Sequence, residues 1–444
     1  IKYIHAVECY ITETLDEKVR DNYHCCLYSR NLEGVKELNK LISSSYNRKD
    51  NHFYYVPRIS FEELIKTSEN IIVTTACLGG IFGKGNDEIK KRFLDFIIKN
   101  KNRCFLEIQH HLDEKQIKLN KELYELSKEY SLNLIIGTDT HALDETHAKG
   151  RKILQKAKNI HFSDEDKWDI TLKTYNELIE LYLKQKAIPI ENVKKALHNT
   201  NILSDMIETF EVDKSYKYPK LYENPKNVLK EKIIEGIKKR GIHKYPNYES
   251  EYLPRIREEL ETFEHNKAID FLLLDNDIKE WARNNNIYHG YSRGSVAGSE
   301  ICYIIGMTDI DSIKHDLNFQ RFMNKERISL ADVDTDWDSI GREKVKQYIY
   351  SKDELYCADI ITFNTVALKG SIRDVGRALD VPLSEIDDMC KNIETKENYY
   401  RSIYKELFEY VDIINGTIVS IGTHPCGLVV SPVPLDENMG TLTL

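Results

Sequence analysis

Several features that define other protein classes are missing from this sequence. No apolar run approaches the length needed to cross a membrane, so we expect no membrane association. The nine cysteines are an odd number without CxxC spacing, which fits a reducing compartment better than a disulfide framework and predicts a cytoplasmic protein. Basic residues are not in excess, because the formal net charge is −9. Binding to nucleic acid would therefore need a local basic groove.

The order of apolar patterns predicts an α/β protein of about two to four domains. Over residues 1–145 short strand-like runs alternate with amphipathic helices, which indicates a parallel sheet or an α/β barrel. A linker is predicted at 216–226, and a final pair of strands at 416–433. We predict strands near 2–11, 24–30, 71–78, 104–111 and 132–142, and helices near 31–43, 87–100 and 113–130.

Three aspartates alternate with other residues in the segment SLADVDTDWD, residues 329–338. On a β-strand Asp332, Asp334 and Asp336 would stand on one face, where like charges repel. The apolar Val333 and Trp337 between them imply a buried opposite face, which neither a solvated edge strand nor a structural calcium loop explains. We predict that the acids hold two Mg²⁺ ions about 4 Å apart for phosphoryl transfer.

A loop of small residues, HGYSRGSVAGS at 289–299, precedes an apolar helix. Backbone N–H groups of such a loop, with the helix N-terminus behind them, can cradle phosphate, and an arginine can pair with phosphate oxygens. The pattern is neither GxxxxGK[ST] nor GxGxxG, so a plain turn ahead of a helix is the alternative. The candidate nucleotide-binding residues are Arg293, Gly294, Ser295, Gly298 and Ser299.

Five residues in or just after predicted strands of the N-terminal region have metal-binding side chains. In α/β barrels such strand ends are where functional side chains converge, and a mixed set of oxygen, nitrogen and sulfur donors suits a transition metal. Taken singly, each could be an ordinary core or capping residue. His110 and His111 lie nearby, with no role assigned. The five candidates are Glu8, His24, Cys77, Asp139 and His141.

Near the C-terminus, Lys369, Arg373 and Arg377 recur every four residues and form one basic stripe of a predicted helix. An ordinary solvated face is the common meaning of such spacing. His424 and Cys426 lie on the last predicted strand, where we interpret the first as a nucleotide or support residue and the second as core.

The stretch from Tyr291 to Trp337 resembles the palm of the C-family replicative DNA polymerases, the group of the bacterial DNA polymerase III alpha subunits. That family carries a GRGSxAGS loop, an ERFxNxER stretch and a PDxDxDF strand. The segments 253–287, 361–379 and 424–435 resemble the helices before the loop, the thumb helix and the return to the palm. Two departures are visible, since GPGRGS is GYSRGS here and Ala331 replaces the proline before the first aspartate.

The resemblance implies a PHP-type α/β barrel, then a polymerase-beta-like nucleotidyltransferase palm (α+β) with a helical thumb. It assigns Mg²⁺ to Asp332 and Asp334 with Asp336 supporting, and triphosphate to Gly294 and Ser295. The five N-terminal candidates match ligand positions of the PHP site, which would take Zn²⁺ or Mn²⁺, and the basic stripe would contact DNA. The implied domains are PHP at 1–210, a helical connection at 211–270, palm at 271–350, thumb at 351–415 and palm return strands at 416–444.

The implied function is template-directed DNA synthesis by two-metal nucleotidyl transfer. Implied partners are primer–template DNA, dNTP, a sliding clamp and other replisome subunits, or a second polymerase chain carrying the fingers. In the family a third carboxylate and the fingers follow the segment that ends here at Leu444, so we expect residues 1–444 alone to be inactive. Two alternatives stay open: a metal-dependent phosphoesterase or 3′–5′ exonuclease acting through the PHP domain, and a non-catalytic scaffold fragment of a split polymerase.

Overall fold

A computed structural model describes residues 2–160, 168–215, 217–326, 333–353 and 355–443. It divides into two compact units. Unit 1 comprises 1–212, 361–425 and 436–444, and unit 2 comprises 213–360 and 426–435. Within the described ranges, none of the helices combines the length and apolar character required to cross a lipid bilayer.

The N-terminal part of unit 1 is built on a seven-stranded mixed sheet in the order β3-β4-β1-β2-β5-β6-β7. β5, β6 and β7 run parallel, as do β1 and β4, while β2 is antiparallel to both of its neighbours. All five predicted strands are present, and the predicted α/β class is confirmed. The strands are β1 (Ala6–Thr12), β2 (Tyr23–Ser29), β3 (Phe53–Tyr54), β4 (Val56–Ser60), β5 (Ile71–Thr74), β6 (Cys104–Ile108) and β7 (Asn133–Ile136).

Helices cover this sheet and begin where the sequence supplies capping side chains. Asn31, Asn86 and Asp113 each accept a backbone N–H at the start of a helix, and these are the three helices predicted from periodicity. Their apolar faces pack on the strands in one large core. The helices are α1 (Leu32–Ser45), α2 (Phe61–Ile65), α3 (Ile81–Lys84), α4 (Asp87–Lys99), α5 (Glu114–Tyr130), α6 (Glu145–Ala157), α7 (Tyr175–Gln185) and α8 (Ile190–Met206).

Unit 2 is mostly helical and has its own hydrophobic core around Phe263, Leu272 and Ile301. Described residues of the predicted linker precede its first helix without regular structure. Its helices are α9 (Pro225–Arg240), α10 (Leu253–His265), α11 (Ile269–Asn284), α12 (Glu300–Ile304) and α13 (Ser339–Tyr350), joined by 3₁₀ turns at Ile242–Lys244, Gly294–Gly298 and Phe319–Arg321 and a π-helical turn at Tyr248–Tyr252.

The C-terminal part differs from expectation in its strands. β8 (Tyr356–Thr365) pairs with β9 (Ile418–Ser431), so the predicted final strand pair is wrong: that segment is one long strand whose partner lies earlier in the chain. Cys426 is exposed on β9 rather than part of the core, because most of that strand is solvent-facing. The remaining helices are α14 (Leu368–Ala378), α15 (Leu383–Ile403), α16 (Lys405–Ile414) and α17 (Leu435–Asn438).

Unit 2 contains a buried group of carboxyls that makes stability depend on pH. Burial raises the pKa of Glu300 to about 7, and the negative charges of Asp311 and Glu259 act in the same direction. Its Oε2 accepts hydrogen bonds from the N–H and the hydroxyl of Ser312 over 3.1 and 2.9 Å. The folded protein therefore holds a proton that the unfolded chain releases at a lower pH.

The Glu300→Gln variant tests this group. Because the folded-state pKa lies above the unfolded value of 4.5, the parent loses stability as pH rises from 4.5 to about 7, and the loss is complete above that. Glutamine carries no charge, so the variant should be more stable than the parent at pH 8, by up to about 3 kcal/mol, and equal to it at pH 4.5. Thermal melting at both pH values measures this, with the exposed Glu261→Gln as control. A pH-independent difference would contradict the assignment.

Candidate functional site

A carboxylate, an imidazole and a thiol meet at one end of the seven-stranded sheet. Glu8 lies on β1, His24 lies on the neighbouring β2, and Cys77 follows β5. Nδ1 of His24 is 2.7 Å from Oε1 of Glu8 and 3.4 Å from Sγ of Cys77. The three ligand-type atoms all lie within 4.8 Å of one another. Oxygen, nitrogen and sulfur donors this close fit a transition-metal ion.

The surroundings of His24 favour its charged form. Burial of the ring opposes the charge, but contacts with Cys77 and Glu8 outweigh burial and raise the pKa of His24 to about 9. The N–H of Gly79 also donates to Sγ of Cys77 over 3.3 Å. A histidine binds a metal through a neutral nitrogen, so metal binding here would displace a proton.

Asp139 and His141 lie in the turn that follows β7. Oδ1 of Asp139 is 3.1 Å from Nε2 of His141. Burial disfavours the charge of Asp139, yet its pKa is lowered overall, first by the hydrogen bond to His141 and then by nearby histidines. A cavity of about 400 Å³ is lined by Glu8, Cys77, Asp139 and His141, and His24 is joined to this cavity through its contacts with Glu8 and Cys77. The structure thus brings the five candidates together.

Two further residues belong to this cavity region and had no predicted role. Glu107 on β6 also lines the cavity, and it accepts hydrogen bonds from Thr74 (2.6 Å) and Gln109 (3.1 Å). Burial raises the pKa of its carboxyl. A Cβ at Gly137 would lie 1.8 Å from Oε1 of Glu107, so a side chain there would displace this carboxylate.

His111 is the second such residue. Neither of its ring nitrogens has a hydrogen-bond partner within the described part of the chain, although the side chain is buried. Burial lowers its pKa to about 4, so the ring is neutral, and Trp168 stacks on it at 5.0 Å. A buried neutral imidazole near Asp139 has the chemistry of an additional metal ligand. The sequence feature that could have indicated this ligand is the pair His110 and His111 at the end of a predicted strand.

The second candidate site lies in unit 2, where the small-residue loop faces the aspartate row. Gly290, Arg293, Asp334 and Asp336 line one pocket, and the N–H of Gly290 donates to the backbone oxygen of Asp336 over 2.9 Å. Arg293 forms an exposed 2.6 Å ion pair with Asp336. Asp332 lies outside the described residues.

The aspartate row keeps the predicted alternation but forms little sheet. Asp334 and Asp336 are exposed, whereas Val333, Thr335 and Trp337 between and beside them are partly buried. The only bridge assigned in the described part of this segment joins Trp337 to His289. Both carboxylates therefore face solvent beside the loop, where a hydrated cation can reach them.

The C-terminal half of the loop is turned inward. Gly298 and Ser299 are buried. The hydroxyl of Ser299 donates to Glu259, and the first amides of α12 donate to the same carboxylate. The helix N-terminus that was expected to face phosphate is thus already occupied by a protein carboxylate. Ligand-accessible groups of the loop lie at Arg293, Gly294 and Ser295.

The predicted basic stripe lies on α14, and its apolar residues Ile372 and Val375 are fully buried, as expected. Each cation of the stripe faces an acid. Lys369 contacts Glu394 at 2.7 Å, Arg377 contacts Asp374 at 2.6 Å, and Arg373 lies 4.0 Å from Asp387. The cations stay about half exposed, so the stripe remains reachable from solvent.

Comparison with known proteins finds two domain families in this chain. Residues 1–111 match the PHP domain, and residues 227–443 match the bacterial DNA polymerase III alpha NTPase domain. The DNA polymerase III subunit alpha of Borreliella burgdorferi is 30% identical over 98% of this chain and 40% of its own length. The corresponding subunit of Aquifex aeolicus is 30% identical over 98% and 43%. That of Helicobacter pylori is 31% identical over 93% and 37%.

The chain therefore spans about two fifths of the length of the curated relatives it matches. The predicted resemblance is confirmed, since both domain families occur in the expected order. This chain therefore contains a PHP domain followed by a bacterial DNA polymerase III alpha NTPase domain, the arrangement expected from its resemblance to the bacterial DNA polymerase III alpha subunits.

Proposed function

We propose that this chain is the PHP, palm and thumb portion of a replicative DNA polymerase that joins nucleotides by two-metal nucleotidyl transfer. The observation that supports this most strongly is that Asp334 and Asp336 lie beside the exposed residues Arg293 and Gly294. Carboxylate oxygens are the ligands that Mg²⁺ prefers, and exposed amides with an arginine suit a triphosphate. Domain limits of 1–210, 211–270, 271–350, 351–415 and 416–444 are part of the proposal.

In this proposal Asp334 and Asp336, together with Asp332, hold two Mg²⁺ ions. When bound, Mg²⁺ supplies activation of the attacking oxygen and neutralises charge on the leaving one. Arg293 is paired with Asp336. A triphosphate offers this arginine a better partner, so nucleotide binding would release Asp336 for the metal. An exposed pair of this kind is weak enough to exchange readily.

The basic stripe Lys369, Arg373 and Arg377 is proposed to contact phosphates of the primer–template duplex. Two of its acidic partners, Glu394 and Asp387, are exposed, whereas Asp374 is buried. Surface ion pairs such as the first two contribute only about 0–1 kcal/mol. Phosphate contacts of this type position a protein on DNA without reading sequence.

The cavity of unit 1 favours a second candidate function, a metal-dependent phosphoesterase. The observation behind it is the group Glu8, His24 and Cys77 with a buried neutral His111 nearby. These residues would hold Zn²⁺ or Mn²⁺, which when bound supplies a water molecule of lowered pKa. Further proposed partners are a sliding clamp and other replisome subunits, or a second polymerase chain carrying the fingers. We propose a cytoplasmic location and no membrane association.

Replacing one palm carboxylate should weaken binding of magnesium-bound dATP. We expect Asp334→Ala to raise the Kd for Mg²⁺·dATP by about tenfold or more, because a metal ligand is lost. Asp336→Asn should have a smaller effect, since it keeps an oxygen donor. Isothermal titration calorimetry measures the Kd values, and Glu343→Ala removes an exposed acid elsewhere in unit 2 as control. Equal affinity in Asp334→Ala and the parent would refute the metal assignment.

The cavity of unit 1 should bind one or more transition-metal ions. We expect purified protein that is dialysed against Zn²⁺ or Mn²⁺ to retain at least one equivalent of metal. Inductively coupled plasma mass spectrometry measures the metal content. Cys77→Ala and Glu8→Gln should lower the affinity by about 10–100-fold. Cys426→Ala removes an exposed thiol of unit 2 and should change nothing. A parent protein that retains no metal would rule the site out.

DNA binding should depend less on salt concentration when one cation of the basic stripe is removed. We expect Arg373→Ala to weaken primer–template binding and to reduce the slope of log K against log salt by about 1. Fluorescence anisotropy at several salt concentrations measures both quantities. Lys405→Ala, an exposed cation on α16 outside the stripe, is the matched control. An unchanged slope in Arg373→Ala would mean that the stripe is an ordinary solvated face.

A further inference from the structure

A buried carboxylate lies directly behind the small-residue loop. Glu259 of α10 has no exposed surface. Its carboxylate accepts hydrogen bonds from the hydroxyl of Ser299 at 2.7 Å and from the backbone N–H groups of Glu300 and Ile301 at 2.8 and 2.9 Å. These bonds all end within three consecutive residues, at the junction between the loop and α12.

Arg255, one turn earlier on α10, completes the arrangement. Its Nε donates to Oε1 of Glu259 over 2.8 Å, and its Nη2 donates to the backbone oxygens of Gly298 (3.0 Å) and Leu317 (2.8 Å). Arg255 and Glu259 therefore hold the junction between the loop and α12 from two sides. Glu259 binds the backbone amides that follow the loop, and Arg255 binds the backbone carbonyl of Gly298. Gly298 packs closely against the backbone of Asn318. A Cβ added at Gly298 would lie 2.5 Å from the backbone oxygen of Asn318.

The other half of the loop has the opposite character. Arg293 and Gly294 are exposed and face the aspartate row. A Cβ added at Gly294 would lie only 3.5 Å from Oδ2 of Asp334. Gly294 has a φ of +72°, which a residue with a side chain rarely adopts. The short 3₁₀ turn Gly294–Gly298 connects this exposed end to the anchored end, so fixing one end limits where the other can lie.

We propose that Arg255 and Glu259 are positioning residues of the nucleotide site, which hold the Gly294–Gly298 turn so that Arg293 and the exposed backbone of Gly294 face the aspartate row. This proposal rests on the proposed function of that site. Neither residue touches the ligand.

The chemistry of the pair supports a positioning role over simple core filling. An apolar pair of similar volume would fill the same space, and buried ion pairs are often replaceable in this way without loss of stability. An apolar pair could not accept the three donors of residues 299–301 or donate to Gly298. In this proposal the charged pair selects one loop conformation, a specifying role that buried polar groups have in some proteins.

The test compares Glu259→Gln and the double variant Arg255→Met/Glu259→Leu with the parent. The double variant removes both charges together, so it avoids leaving one of them buried alone. Glu259→Gln keeps the shape but turns an NH₂ group toward backbone donors, and it serves if the double variant does not fold. Glu261→Gln, on the same helix but exposed and paired with Lys325, is the matched control.

We expect both variants to melt as folded proteins, to bind Mg²⁺·dATP about tenfold more weakly or worse, and to exchange amide hydrogens faster at 293–301 than the parent. A core-filling role would leave exchange in this segment and the Kd unchanged in molecules that are folded. A folded variant with a Kd within twofold of the parent would overturn the proposal.

The parent and Asp334→Ala separate this proposal from the proposed function. If the parent does not bind Mg²⁺·dATP, or if Asp334→Ala binds it equally well, the nucleotide site fails and the positioning role fails with it. If parental binding depends on Asp334 but is unaffected in the two Glu259 variants, only the positioning role fails.

Discussion

A carboxylate needs hydrogen-bond donors or a cation around it, and the more deeply it is buried the fewer of these water can supply. Both candidate sites are built around carboxylates that meet this requirement in different ways. In unit 2 the buried Glu259 is satisfied by Arg255 and by the amides behind the loop. The exposed Asp336 is paired with Arg293. The difference in burial decides what each acid can do, because a buried and fully bonded carboxylate is fixed, whereas an exposed one can exchange its partner for a metal ion.

The same reasoning distinguishes the acids of unit 1. Glu107 is enclosed and bonded to Thr74 and Gln109, and burial raises its pKa. Glu8 is more exposed and contacts His24. Metal ligands must be deprotonated, so the more accessible Glu8 is better suited to direct ligation, and Glu107 is better suited to shaping the cavity floor. His111 adds a neutral nitrogen that no described group satisfies.

Periodicity and local chemistry predicted much of this structure. Strands β1, β2, β5, β6 and β7 and helices α1, α4 and α5 follow from alternation, amphipathic spacing and capping residues, all of which act within a few positions of the chain. The exposure pattern at Asp334 and Asp336 was predicted for the same reason. A single bridge replaced the expected strand there, because ladder formation depends on a partner segment that alternation does not specify.

Features that depend on distant partners could not be predicted from the sequence. Helical spacing places Glu259 on the buried face of α10, three residues after Ile256 and four before Phe263. Nothing local, however, shows which groups at the loop its carboxylate meets there. Its partners lie about 40 positions away. The pairing of β9 was mispredicted for the same reason. The segment was expected to fold back on itself as two strands, but it is one strand that pairs with β8.

The arrangement behind the loop also bears on how a nucleotide site can use a helix N-terminus. A helix start is often taken as an anion site because its first amides lack partners. Here Glu259 and the hydroxyl of Ser299 occupy the first amides of α12, so its positive end is bound to the protein's own carboxylate. In the proposed nucleotide site, phosphate recognition would then rest on Arg293 and the turn that follows it, where Gly294 supplies a conformation open to close approach. The loop is thus anchored at its buried end, and at its exposed end Arg293 forms a surface ion pair that a ligand can replace. A site needs this combination when the ligand, not the protein, completes the charge balance.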